Sequence, residues 1–253
     1  MVSTWRPGTN PVRESRIYTS QALFSAGSID LEGPASHYLS RVLRLAVGDP
    51  VILFNGDGSD YPGEICGIQR QSVSVKLFDS FIPGNESPLK ITLVQAISRQ
   101  ERMDYSLQKC TELGVSCIQP VISRRVEFRL DTTRLAKRLA HWQRVVISAC
   151  EQCGRAVVPK VMMPVPLAEW MADTDESPRL ILDPAGEIKM SSFSMSGDAV
   201  SVLVGPEGGF TGEELEQARL NDFRTVSLGP RVLRTESAGP AMIAVLQAVA
   251  GDG

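Results

Sequence analysis

Two short runs of this 253-residue sequence carry residue types that could hold and activate a ligand. The first is Gly205-Pro206-Glu207-Gly208-Gly209-Phe210. The second runs Gly229-Pro230-Arg231-Val232-Leu233-Arg234-Thr235-Glu236. Each follows an apolar run, AVSVLVG or TVSLG, that reads as a buried parallel strand. In an open α/β sheet, ligands settle beyond the carboxyl ends of the strands. Glycines at that position let the backbone come close to a flat ligand. The plainer alternative is a pair of tight strand-to-helix connections. The first run matches neither the dinucleotide fingerprint nor the P-loop, since no Lys-Ser/Thr follows its glycines. Glu207 would repel a phosphate there. It could accept hydrogen bonds from ribose hydroxyls or offset a positive charge. S-adenosyl-L-methionine carries a sulfonium, an ammonium, a ribose and an adenine, and so suits such a site better than ATP does. Arg231 and Arg234, beside the loop, could meet a polyanionic second substrate.

The elements that must place these runs follow from periodicity. From Arg16 to about Phe81, short β-type runs alternate with turn residues: RIYTS, DPVILFNGDG, YPGEICGI and SVSVKLFDSF. Gly56-Asp57-Gly58 reads as a hairpin turn. Residues 34–45 are the one helical piece of this part, with Leu39, Val42, Leu43 and Leu45 on an apolar side and Arg41 and Arg44 sharing a face. A small β-barrel with one helix fits, and the turn-rich stretch Pro83–Pro88 marks its end. We therefore expect one domain over 1–83 and a second over 84–253. The second alternates strand and helix, as α/β folds do. Its strands are 90–97, 115–122, 179–183, 199–205 and 225–229, with Pro120 expected at a strand end or edge. Its helices are 101–113, a long one from an Asp131 cap through Cys153, one opened by a Thr211/Glu214 capping box, and a last one with Pro240 in its first turn.

Composition is that of an ordinary globular chain, 43% hydrophobic and 22% charged, which excludes a disordered or collagen-like polymer. No apolar run is long enough to span a bilayer, and the polar N-terminus lacks a secretory core. Five cysteines, an odd count, point to reduced thiols and a cytoplasmic home. The net charge of −3 hides a segregation: residues 99–160 carry +6 and residues 161–253 carry −8. A local excess of arginine can grip phosphates on an acidic protein. The cluster Arg124, Arg125, Arg129, Arg134, Lys137 and Arg138 is such a segment, or else a solvated helix face. Cys150 and Cys153 lack a second ligand pair for zinc, so no metal is expected. His37 and His141 are the only histidines, with no Ser–His–Asp arrangement to make a hydrolase.

Six pieces together resemble one family: SRIY (15–18), HYLSRVLRLAVGD (37–49), ERMDYSLQKCTELGV (101–115), ACEQCGR (149–155), LVGPEGGFT (203–211) and LGPRVLRTESA (228–238). The sequence resembles the bacterial 16S ribosomal RNA (uracil-N3) methyltransferases of the SPOUT superfamily, and the resemblance covers nearly the whole chain. Gln100 departs from it, standing where a glycine is expected. So does Ser237, where relatives often have threonine. The resemblance implies a PUA-like N-terminal β-barrel that helps hold RNA and a C-terminal trefoil-knotted α/β domain with S-adenosyl-L-methionine folded into the knot. It also implies a homodimer acting on 16S ribosomal RNA within the small subunit. The cofactor residues it implies are Leu203, Gly205, Glu207, Gly208, Gly209, Leu228, Gly229, Leu233, Thr235 and Ala238. Arg16, Arg41, Arg44, Arg124, Arg125, Arg155 and Arg231 would contact RNA. Arg234 and Arg16 could stabilise the uracil anion, and Glu236 could serve as base if burial raised its pKa. Two rivals stay open. One is a relative that methylates a ribose 2′-oxygen or a tRNA. The other is a non-catalytic RNA-binding assembly protein.

Overall fold

The structure is a computed structural model that describes residues 15–126, 132–172, 177–189, 195 and 197–253. Arg129 and the expected Asp131 cap lie outside the described residues. Packing groups the chain into two compact units. Of the described residues, one takes those up to Asn85 together with Cys150–Val158, and the other takes those within Glu86–Ala149 and Pro159–Gly253. Whereas the sequence suggests a single division at 83/84, the tail of one long helix and the residues after it count with the first unit.

The first unit is built on β1 (Ser15–Tyr18), β2 (Ser28–Glu32), β3 (Pro50–Phe54), β4 (Tyr61–Ile68) and β5 (Ser72–Leu77), hydrogen-bonded in the order β1-β3-β4-β5-β2. Alternation along the strands explains its core. Val51 and Leu53 point inward with Val73, Val75 and Leu77, and Leu31 and Leu39 close over them. A short helix α1 (Gly33–His37) runs into a π-helical turn, Tyr38–Val42. That turn overturns the expected shared face of Arg41 and Arg44. Backbone winding changes there, Val42 is exposed, and Arg44 stands past the helix in the left-handed region at φ 55°.

Arg16 on β1 also departs from expectation. Its guanidinium pairs with Asp60, donates to the Arg155 carbonyl at 3.1 Å and lies 4.7 Å from the centre of the Phe54 ring. The Arg16 side chain is 12% exposed and that of Asp60 3%. Burial pushes the Asp60 carboxyl above its usual range, against the downward pull of Arg16. Arg155 is itself buried. Arg16 and Arg155 therefore hold the framework of this unit, and neither offers a free cation to RNA.

The second unit is a parallel sheet flanked by helices. Its strands are β6 (Lys90–Ala96), β7 (Cys117–Ile122), β8 (Lys160–Val161), β9 (Val165–Pro166), β10 (Arg179–Leu182), β11 (Ile188–Lys189), β12 (Ala199–Val204) and β13 (Phe223–Ser227). They follow the order β11-β13-β10-β12-β6-β7-β8, with β9 also on β7. Pro120 sits where it costs least: β8 pairs with Cys117 and Ile118, β9 with Val121 and Ile122, and Pro120 falls between them. The helices are α2 (Gln100–Glu112), α3 (Thr132–Cys153), α4 (Leu167–Ala172), α5 (Gly212–Leu220) and α6 (Thr235–Ala250). The capping box at Thr211 and Glu214 forms as the sequence predicts. Pro240 does not lie in the first turn, because α6 begins at Thr235; it lies inside the helix and removes an amide donor there. No helix among the described residues is long and apolar enough to cross a membrane.

Candidate functional site

The carboxyl ends of β10, β12 and β13 are neighbours in the sheet, so the three loops that leave them converge. Between them lies a cavity of about 420 Å³, within the range of small-molecule sites. Nine of the ten expected cofactor residues line it: Gly205, Glu207, Gly208, Gly209, Leu228, Gly229, Leu233, Thr235 and Ala238. The tenth, Leu203, does not; it is fully buried in the core on β12, where strand alternation turns it from the loop. Gly209 and Gly229 adopt φ of 69° and 107°, and a Cβ built on either would meet no atom within 4 Å. Their backbone thus faces open space. Leu182, Val204, Phe210, Val226, Leu228 and Val232 give the cavity apolar walls, and Asp183 and Glu207 are its acidic groups. The apolar walls suit an aromatic base and the two carboxylates suit positive charge or hydroxyls, while Arg102, Arg231 and Arg234 add cations to the same lining.

A buried polar chain fixes the two loops to each other. Thr235 Oγ1 donates to the Gly205 carbonyl at 2.6 Å and accepts from Gln95 Nε2 at 3.1 Å. Gln95 Oε1 in turn accepts from Ser106 Oγ at 3.0 Å. All three side chains belong to buried residues. Each partner is satisfied, so the chain specifies one loop arrangement rather than several.

The arginines divide. Arg231 and Arg234 line the cavity from an exposed loop. Arg102, which sequence reasoning overlooked, lines it from the first turn of α2. Its Nη1 is 3.4 Å from Glu207 Oε1, and its Nε is 3.9 Å from Glu236 Oε1. Glu207 Oε1 also accepts the Arg99 amide at 3.1 Å, where the positive end of the α2 dipole favours a carboxylate. Glu236 is not among the lining residues; its carboxylate faces Arg102, and Oε2 is buried without a hydrogen-bond partner. Glu236, expected as a possible base, thus lies against Arg102 and off the cavity lining. Arg124 pairs with Glu213, and its amide is bound by Glu214 at 2.8 Å. Arg125 donates to the Gly208 carbonyl. These two therefore brace the glycine loop and α5. The missed residues had faint signals: Asp183 ends the strand RLILD, and Arg102 sits in the ERMD helix start.

No group of three or more potential metal ligands occurs among the described residues. The Cys110 thiol is pushed up by complete burial, which keeps it protonated and inert.

The RNA methyltransferase domain family matches residues 85–247, and its PUA domain family matches residues 31–78. The ribosomal RNA small subunit methyltransferase E of Buchnera aphidicola from Schizaphis graminum is 34% identical over 95% of this chain and 98% of its own. The chain belongs to the ribosomal RNA small subunit methyltransferase E family. The methyltransferase E of Rickettsia conorii is 32% identical over 92% of this chain and 95% of its own. Among solved structures, a Neisseria gonorrhoeae methyltransferase E bound to S-adenosyl methionine superposes with a TM-score of 0.91. It is 39% identical over 95% of this chain and 99% of its own. A methyltransferase of Legionella pneumophila, solved with its bound cofactor SAM, gives 0.92 at 38% identity over 96% of this chain and all of its own.

Proposed function

We propose that this protein transfers a methyl group from S-adenosyl-L-methionine to N3 of one uridine in 16S ribosomal RNA of the small subunit. The observation that carries this reading is the convergence of the 205–210 and 228–234 loops on one cavity with apolar walls, two carboxylates and three arginines, in a chain of the methyltransferase E family. The cofactor would supply a methyl group already activated on a positively charged sulfur. Leu228, Leu233 and Ala238 would cover its flat part, and Glu207 and Asp183 would oppose its charge or hold its hydroxyls. The thread from Gln95 to Gly205 keeps the loops preorganised for that task. N3 is engaged in pairing within a duplex, so the uracil must be unpaired or flipped to enter. We further propose two domains, near residues 1–83 and 84–253, a cytoplasmic homodimer, and the knotted chain path that the resemblance implies. Small subunits from a strain lacking this enzyme, incubated with the protein and cofactor, should yield N3-methyluridine by nuclease digestion and mass spectrometry. Ribose-methylated uridine, or no product, would sink this reading. Sedimentation of the same preparation checks the dimer.

The N-terminal unit is the proposed RNA grip, with its cations redistributed. Arg41, Arg70 and His37 line a polar cleft of about 820 Å³ together with Glu32, Ser36 and Ser40, and Arg44 is not among its residues. Replacing Arg41 and Arg70 with alanine should weaken RNA binding alike at every sequence. It should also lower the salt slope by about two. An unchanged slope would remove this cleft from the RNA path.

A further inference from the structure

Removing the N3 proton of uracil leaves negative charge on the ring and its carbonyl oxygens, and the site needs a fixed cation to face it. Three arginines line the cavity: Arg102, Arg231 and Arg234. The last two stand on an exposed loop, whereas Arg102 rises from the first turn of α2. Two carboxylates on different elements flank it, Glu207 at 3.4 Å and Glu236 at 3.9 Å. At those distances the carboxylates attract the guanidinium by charge and leave its N–H donors open to an acceptor in the cavity. The Arg102 side chain is 31% exposed, and it lines the cavity. Glu236 sits behind it, off the lining. A guanidinium drawn to the cavity by two carboxylates, with donors to spare, can face an anion there.

We infer that Arg102 is a catalytic residue of the reaction proposed above, on which this inference rests: its guanidinium donates to a uracil carbonyl oxygen as that oxygen gains negative charge. Glu207 and Glu236 are positioning residues that act through it. The N3–H bond breaks first, its proton passing to hydroxide from solvent and its electron pair spreading over N3, O2 and O4. That pair then forms the N3–methyl bond. The methyl–sulfur bond breaks, and its electrons return to sulfur, leaving a neutral thioether.

The test compares R102Q and R102K with the unaltered protein, using small subunits from a strain lacking the enzyme. R102Q should lower the single-turnover rate about 100-fold. Cofactor affinity, measured by calorimetry, should fall by at least about tenfold less than the rate, because the main lost interaction belongs to the transition state. The rate climbs with pH to the ionisation of bound N3–H. Without the guanidinium that inflection should move upward by about one pH unit. R102K keeps the charge and loses the planar fork, so both values should fall between; if R102Q does not fold, the R102K values decide alone. An unshifted profile with a uniform loss of rate, or a loss explained by weaker cofactor binding, would reduce Arg102 to a tie between α2 and the loops. Failure of the unaltered protein to make N3-methyluridine would instead overturn the function beneath it.

Discussion

Gly208→Val should keep the fold and lose S-adenosyl-L-methionine affinity about 100-fold, roughly 3 kcal/mol. Gly208 has no positive φ, so valine brings no backbone strain. A Cβ there stands 3.4 Å from Arg125 Cδ, an ordinary contact. Arg125 stands on one side, its guanidinium tied to the Gly208 carbonyl. Gly208 is exposed and lines the cavity, so the two branches of valine project toward Arg125, the cavity mouth and solvent, and take space from a ligand there. The melting temperature should fall by no more than about 2 °C, as for a surface change. Adding Arg125→Ala should give the branch room and restore part of the affinity, a coupling expected of residues in contact. Gly209→Val makes a useful contrast. Its φ of 69° adds about 1–3 kcal/mol of strain, so it should cost stability as well as binding. Unchanged affinity in Gly208→Val, measured by calorimetry, would remove this loop from the cofactor site.

Arg16→Ala should destabilise the N-terminal unit by about 3–5 kcal/mol, because it strands the buried Asp60 carboxylate. Hydrogen exchange of the β1 and β3 amides reads the loss directly. The pH dependence has a definite sign. Asp60 in the folded state already has its pKa raised by burial, and the guanidinium is the group pulling it down. Removing the guanidinium raises it further, so the folded variant takes up a proton more readily than the unfolded chain. Its deficit should therefore shrink as pH falls from 7 toward 5, and grow back as pH rises through the folded pKa. Cofactor affinity should not change. An Arg16→Ala protein of full stability that had lost methyl transfer would return Arg16 to the catalytic group.

Periodicity and turn chemistry made much of the architecture legible. Short alternating runs before residue 81 and buried runs after residue 88 gave the strands their places, since alternation and continuous burial leave different marks on a sequence. The Thr211–Glu214 capping box, a purely local device, was readable to the residue. Errors arose where a second partner decided the outcome. The π-helical turn at Tyr38–Val42 re-aimed Arg41 and Arg44, and nothing in a 3.6-residue period foretells an inserted residue. Ser28–Glu32 went unread as a strand because β5 supplies its hydrogen bonds from 40 to 48 residues away.

The same division holds at the site. By itself the sequence determined that two glycine-bearing loops follow parallel strands, that one carries a carboxylate in place of a phosphate cradle, and that the chain resembles rRNA methyltransferases. It also supplied the arginines. Which of them is free to act was decided by tertiary structure alone. Arg16 is consumed by Asp60, Arg155 is buried, Arg124 braces Glu213, and Arg102 is brought to the cavity by carboxylates more than 100 residues away in the chain. An arginine has one charge and five donors wherever it stands. Its role is set by the acceptors that reach it first, and those are assembled only when the sheet aligns the ends of β10, β12 and β13.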